Sequence, residues 1–322
     1  MFRNRLQHIA ATVQNKAPIS KATMATLNHT SQKFTLNTGA QIPAIGLGTW
    51  KSPPEQVRKA VSHALKYGYR HIDTALNYQN EAEVGQGIRD SGVPREQIWV
   101  TTKLDNPWHH RVREGFEKSL SDLGLEYIDL YLVHFPCSTD PNDPSKHLPD
   151  WDFVKTWQEM QKLLDTGKVR NIGVSNFQIR HLEKLLNDPS CKVVPAVNQI
   201  ELHPANPSPK LLDYCKSKGI HCTAYSCLGG ATDNPLYKEP ALSQIAEAKG
   251  KSPSQILLMW GLQRGTSIIP KSVTPSRIEQ NFQLDGWELT KDEMEALNGI
   301  QTRFKVVNDS WMPIKVFFGD DE

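Results

Sequence analysis

Four residues of this sequence, Asp73, Tyr78, Lys103 and His134, have the types and the placing to move a proton. A phenol ionises near pH ~10, so a tyrosine is a poor acid at neutral pH unless a cation beside it stabilises the phenolate. Lys103 can be that cation, Asp73 can hold the ammonium, and His134 can orient an oxygen of a bound molecule. The plain alternative is a structural Asp–Lys ion pair beside a packed Tyr and a packed His. Taken singly, each residue fits that alternative better, so their joint placement has to decide.

The elements that must position them follow from the hydrophobic pattern. Residues 69–75 read as a strand with Asp73 near its end, and Tyr78 falls on the turn that follows. Asn80 suits the N-cap of a helix over 80–91, with Glu81 and Glu83 at its positive end. Lys103 comes late in a strand over 98–104 and His134 closes one over 127–134. The same rhythm runs through the chain. Strands are expected over 44–50, 69–75, 98–104, 127–134, 169–176, 194–202, 220–228 and 266–272, each followed by a helix: 54–67, 80–91, 109–123, 152–166, 178–187, 208–218, 241–263 and 275–283. A β-hairpin over 33–43 precedes them, and a helix near 290–299 and an aromatic tail follow.

Eight pairs without a break in composition predict an α/β fold, a (β/α)8 TIM barrel filling residues 33–322 as one domain. A doubly wound open sheet would carry a glycine fingerprint after its first strand. Gly46-Leu-Gly48-Thr-Trp50 lacks the third glycine, and Gly85-Gln-Gly87 lies inside a predicted helix. In a parallel barrel the C-terminal strand ends converge on one face, where chemistry sits. Trp50, Asp73, Lys103, His134, Ser175-Asn176, Gln199, Tyr225-Ser226 and Lys271-Ser272 fall at or near those ends, one position per strand. A purely structural barrel has little reason to gather polar and aromatic residues there. The loops near 135–150 and 229–240 are expected to shape the rim.

Bulk properties remove several function classes. The net charge is +2, and residues 1–39 hold five basic residues and no acid, which leaves 32 basic against 35 acidic in the remainder. A slightly acidic body without a basic stripe argues against nucleic acid as partner. No apolar run approaches the ~18 residues of a membrane span. Cys137, Cys191, Cys215, Cys222 and Cys227 form no C-x-x-C and read as reduced thiols. His109–His110 and the other histidines lack metal-site spacing, so no metal is expected. Phe2, Leu6, Ile9 and Val13 recur at helical spacing with Arg3 and Arg5 among them. That pattern fits a mitochondrial transit peptide, or else an extension ahead of a working start at Met24. Residues 1–32 are therefore set outside the fold as a targeting or disordered extension, and the expected location is cytoplasmic unless the first 23 residues direct import. A monomer is the default expectation.

Gly46-Leu-Gly-Thr-Trp50, Gly68-Tyr-Arg-His-Ile-Asp-Thr-Ala75, Gly173-Val-Ser-Asn-Phe177 and Ile269-Pro-Lys-Ser272 carry a resemblance: from about residue 34 to 317 the chain resembles the aldo-keto reductases. Ser91-Gly-Val-Pro-Arg95 and Gly265-Thr-Ser-Ile-Ile-Pro270 are similar to the fungal glycerol dehydrogenase and glyceraldehyde reductase members of that family. The resemblance implies hydride transfer between NADPH and a small-molecule carbonyl, with Asp73, Tyr78, Lys103 and His134 as the catalytic tetrad and Tyr78 as the acid. Glyceraldehyde, dihydroxyacetone, pentoses and aromatic aldehydes are the implied substrates, with alcohol oxidation as the reverse reaction. For the cofactor it implies Ser175, Asn176 and Gln199 on the carboxamide, Tyr225 stacked on the nicotinamide, and Ser226 and Leu228 at the pyrophosphate. Lys271, Ser272 and Arg277 would meet the 2′-phosphate, and Val273, Gln280 and Asn281 complete the set, with Gln280 at the adenine amine. One Lys, one hydroxyl and one Arg at a strand end and helix start also suit a phosphate dianion on their own chemistry. Trp50, Phe135 and Trp311 would line an apolar mouth suited to aldehydes.

Four positions depart from the family pattern. Phe135 and Asp105 stand where many members carry Trp, Cys227 replaces a Pro, and Gln280 replaces a Glu. Two rival readings remain: a barrel that binds NADPH as a sensor or regulatory subunit without chemistry, and a short-chain dehydrogenase. The second would use Tyr214-Cys-Lys-Ser-Lys218, but the glycine-rich turn that it requires is missing.

Overall fold

A computed structural model describes residues 27–319 except Thr232. The transit-peptide pattern lies outside the described residues. Residues 27–32 run against the C-terminal half of the chain: Thr30 N–H donates to Asp285 Oδ1 at 2.9 Å and Gly286 N–H to Leu27 O at 2.9 Å.

The hairpin forms where the alternation and Gly39 predict it. β1 (Lys33–Thr35) pairs antiparallel with β2 (Gln41–Pro43), and Gly39 takes φ +83° in the turn. Its apolar side, with Leu36 and Ile42, packs against Trp99, Leu130, Leu132 and Val197, so the hairpin plugs one end of the barrel.

The barrel itself follows in order: β3 (Leu47–Gly48), α1 (Pro54–Tyr67), β4 (His71–Asp73), α2 (Glu81–Ser91), β5 (Trp99–Leu104), α3 (Val112–Leu123), β6 (Ile128–Val133) and α4 (Phe153–Leu163). Next come β7 (Val169–Ser175), α5 (Ile179–Asn187), β8 (Val197–Glu201), α6 (Pro209–Ser217) and β9 (His221–Tyr225). The chain continues through α7 (Pro240–Lys249), α8 (Pro253–Gln263), β10 (Ser267–Ile268), α9 (Pro275–Phe282) and α10 (Lys291–Asn298). Strands β3 to β10 pair in parallel in sequence order. The first and last also meet: Gly46 N–H donates to Ile268 O and Ile268 N–H to Ala44 O, both at 2.8 Å. Gly48 is required at this seam, because a Cβ there would lie 2.8 Å from Ile269 O.

Two features differ from the sequence reading. The expected helix over 241–263 is two helices, α7 ending at Gly250 (φ +60°) and α8 starting at Pro253 under a capping box of Ser252 and Gln255. Asn80 does occupy the N-cap position of α2, but its side chain makes no cap. Its amide reaches instead to Thr49 O at 3.1 Å and Ser52 O at 3.2 Å, tying α2 to the loop after β3. Glu81 likewise turns inward, accepting from Thr102 Oγ1 at 2.5 Å and Ser119 Oγ at 3.0 Å.

Gly85 and Gly87 serve helix packing. A Cβ on Gly85 would stand 1.9 Å from Leu123 O of α3, and one on Gly87 would stand 2.6 Å from Arg58 O of α1. These glycines let α2 wedge between its neighbours. Tyr214 and Lys218 lie at the end of α6, the lysine 5.4 Å from the ring, and neither lines the cavity described below.

Candidate active site

β4, β5 and β6 deliver three of the four proton-handling residues at the same end of the sheet. Lys103 Nζ is fully buried and donates to Asp73 Oδ1 at 2.6 Å, to Thr74 O at 2.8 Å and to Tyr78 Oη at 3.3 Å. Gln199, from β8 across the barrel, donates to the other Asp73 oxygen at 2.6 Å. Thr49 holds the Asp73 carbonyl at 2.9 Å. The His134 ring stands edge-to-face with Tyr78, centroids 5.7 Å apart. Asn176 Nδ2 donates to His134 O at 2.9 Å, and Tyr225 Oη donates to Asn176 Oδ1 at 2.7 Å.

The electrostatics follow from burial and from this pairing. Burial alone would lower the Lys103 ammonium, but Asp73 and the Tyr78 oxygen more than offset it, and its pKa is raised. Burial pushes the Tyr78 phenol up and Lys103 pulls it back, with a net rise, so the hydroxyl stays protonated at neutral pH. Burial, then Lys103 and His109, hold His134 well below the usual imidazole range, so it is a neutral ring. The arrangement is therefore a protonated phenol against a fixed cation, with a neutral imidazole beside it.

All four residues except the wholly buried Lys103 line one cavity of about 840 Å³. Trp50, Phe135 and Trp311 form its aromatic wall, with Phe135 and Trp311 edge-to-face at 5.4 Å. Ser175, Asn176, Gln199, Tyr225, Ser226 and Leu228 also line it, as does Lys271. Much of their hydrogen bonding is with one another: Ser175 Oγ donates to Gln199 O at 2.8 Å, and Asn176 Nδ2 donates to Ser175 Oγ at 3.1 Å as well as to His134 O. Lys271 Nζ lies 3.2 Å from Lys51 O, and burial together with the Lys51 charge lowers its pKa.

Ser272, Val273, Arg277, Gln280 and Asn281 are not part of the cavity wall. Ser272 Oγ accepts from Thr274 N–H at 3.1 Å just ahead of α9, and Arg277 is exposed in the first turn of that helix. Val273 is half-buried against the main core, Gln280 is exposed and Asn281 is buried.

Sequence reasoning missed Thr49, Lys51, Asn77 and the tail residues Val306, Val307 and Asn308, all on the cavity. Backbone strain marks the same rim. Lys51, Asn176 and Ser226 take φ between +46° and +63°, the last two directly after β7 and β9. Left-handed backbone at non-glycine residues costs about 1–3 kcal/mol each and gathers at functional sites. The tail is held by Glu201, whose carboxylate accepts from Val306 N–H at 2.6 Å and Val307 N–H at 2.9 Å.

Among the described residues no group of three or more His, Cys, Asp or Glu is placed to hold a metal, and no helix is long and apolar enough to cross a membrane. The sequence profile of the Aldo/keto reductase family matches residues 44–302. The chain is 46% identical over 312 residues to the glycerol 2-dehydrogenase (NADP(+)) of Saccharomyces cerevisiae, covering 91% of this chain and 99% of that one. It is 43% identical over 312 residues to the aldehyde reductase YPR1 of the same yeast, with the same coverage. The solved Bombyx mori aldo-keto reductase in complex with NADP superposes with a TM-score of 0.81 at 39% identity, over 87% of this chain and 96% of that one. On the family match, the relatives and the barrel, this chain belongs to the aldo/keto reductase family.

Proposed function

We propose that this chain is an NADPH-dependent carbonyl reductase, with Tyr78 as general acid, that takes small aldehydes and ketoses and oxidises the corresponding alcohols in reverse. The observation that carries the reading is the Tyr78–Lys103–Asp73 chain at 3.3 and 2.6 Å, opening onto a cavity with an aromatic wall. Glyceraldehyde, dihydroxyacetone, pentoses and aromatic aldehydes suit a cavity that sets Trp50, Phe135 and Trp311 beside polar reactive groups. The names of the yeast relatives, a glycerol dehydrogenase and an aldehyde reductase, point the same way.

The residues present fit a phosphorylated dinucleotide. Lys51 and Lys271 put two cations on one side of the cavity, and Arg277 and the start of α9 stand just beyond. Ser175, Asn176 and Gln199 would hold the carboxamide, Tyr225 the ring face, and Ser226 and Leu228 the pyrophosphate. Lys271, Ser272, Val273 and Arg277 would hold the 2′-phosphate end, and Gln280 and Asn281 the adenine. A reduced nicotinamide, when bound, supplies the hydride that the carbonyl carbon receives.

The chain's own groups handle the proton. The neutral His134 donates a hydrogen bond to the carbonyl oxygen and fixes its direction. Tyr78 gives that oxygen its proton as negative charge builds there. Lys103 stabilises the phenolate left behind, and Asp73, braced by Gln199 and Thr49, keeps the ammonium in place.

The test is NADPH consumption with glyceraldehyde, followed by absorbance, in wild type and Tyr78→Phe. Wild type should turn over. The variant should lose ~10²–10⁴-fold in kcat, the usual worth of a positioned acid, with NADPH affinity close to normal. A variant that keeps most of its kcat would remove Tyr78 as the acid. NADPH binding without consumption by wild type would favour a cofactor-binding barrel without chemistry.

A further inference from the structure

We infer that Asp105, held by Asn77, sets the charge selectivity of the cavity: it admits neutral, hydroxyl-bearing carbonyl compounds and turns away those that carry a carboxylate. The inference rests on the proposed reductase reading and names the substrate class of that same site. Asp105 follows the last residue of β5, two positions after Lys103, and Asn77 immediately precedes Tyr78. Asn77 Nδ2 donates to Asp105 Oδ1 at 2.9 Å, and both residues line the cavity with Tyr78 and His134. The carboxylate is thus tied through Asn77 to the residue before Tyr78 and through its own strand to Lys103 two positions back.

Its remaining bonds leave it able to act on a ligand. Oδ1 also takes the Asn106 N–H at 2.8 Å, which starts the 3-10 turn over 106–111 and anchors the group from behind. Oδ2 is left as an acceptor, suited to a hydroxyl on the carbon beside a carbonyl. Burial raises the Asp105 pKa against the pull of the Asn77 and Asn106 hydrogen bonds. In its ionised form the carboxylate offers acceptors only, so a substrate carboxylate placed there meets a like charge and no donor.

The other charges of the cavity do not cancel it. Asp73 and Lys103 neutralise each other at 2.6 Å. Lys51 follows β3 and Lys271 follows β10, which meet at the barrel seam, whereas Asp105 follows β5, two strands on from β3. The cavity is therefore polarised, cationic at the seam and anionic beside the reactive groups. An anionic cofactor and an anionic substrate could not both satisfy that gradient.

The experiment compares kcat/KM for terephthalaldehydic acid and its methyl ester, which differ in one charge on the same ring, with NADPH. Wild type should prefer the ester by at least ~10-fold. Asp105→Asn, which keeps the shape and an oxygen for Asn106, should shrink that preference toward unity. Asp105→Glu should retain a preference for the ester. Equal use of acid and ester by wild type, or an undiminished preference in Asp105→Asn with an unchanged melting temperature, would overturn the inference while leaving the reductase reading intact. Failure of wild type to consume NADPH with either compound and with glyceraldehyde would sink the reductase reading, and the inference with it. Turnover of glyceraldehyde but of neither compound would overturn the inference alone.

Discussion

Among the described residues two hydroxyls, of Thr102 and Ser119, hydrogen-bond the Glu81 carboxyl, and its protonation reports on folding. Burial pushes its pKa from 4.5 up to about 7, against the pull of Thr102 and Ser119. A folded-state pKa above the unfolded one means that the native state binds the extra proton. The stabilisation is complete below pH 4.5 and is lost as pH rises to about 7, with little change beyond. The loss reaches about 3 kcal/mol at most. Glu81→Gln removes the titration, so the melting temperature of the variant relative to wild type should rise by a few degrees between about pH 5 and about pH 8. A difference that stays constant over that interval would show that Glu81 is ionised in the fold throughout. The sequence suggested only a helix-end charge here. Its inward turn depends on Thr102 and Ser119, which come from β5 and α3, and no local pattern announces that meeting. Asp73 and Lys103 were legible because strand rhythm alone fixes which end of the barrel a residue reaches. The Gln199–Asp73 bond joins residues 126 apart and exists only once the ring closes.

At the scale of elements, the proposed cofactor assignment makes α9 and the residues leading into it the part that would separate NADPH from NADH. Its first turn presents Arg277 to solvent, with Ser272 buried just ahead of it and Lys271 on the cavity wall. A guanidinium there gains at most a bond to a neutral oxygen from a ribose hydroxyl, and a stronger charge-assisted pair from a phosphate dianion. Arg277→Ala should weaken NADPH by ~10–100-fold and NADH hardly at all, measured by fluorescence titration of each. Equal weakening of both would mean that the arginine acts through the fold. Helix and strand positions were mostly legible, because amphipathic period and capping residues are local. The exception was 241–263, where Gly250, Lys251, Ser252 and Pro253 mark a stop and a capped restart inside what reads as one helix. β3 and β10 are only two residues long each, since backbone pairing at the seam passes partly through isolated bridges.

The molecule as a whole is a barrel whose mouth is finished by its own C-terminal tail. Val306, Val307, Asn308 and Trp311 complete the cavity, yet the tail has no regular secondary structure to hold it there. Glu201, fully buried at the end of β8, supplies the anchorage through Val306 and Val307, and His203 Nε2 lies 2.9 Å from the same carboxylate. Asp309 closes the tail on itself by accepting from Val316 and Phe317 N–H at 2.7 and 2.8 Å. None of this was readable from composition, since a carboxylate clamped on backbone N–H groups leaves no pattern in the tail sequence. Glu201→Gln replaces one acceptor oxygen with an amide that faces an N–H or the imidazole, at a cost of about 1.5–3 kcal/mol for a charge-assisted bond. The tail should loosen while the strands persist. Limited proteolysis should then cut within 300–319 faster than in wild type, and KM for a carbonyl substrate should rise several-fold with a smaller change in NADPH affinity. Proteolysis at the wild-type rate, with KM unchanged, would show that the aromatic packing of Phe135 on Trp311 holds the tail without the carboxylate.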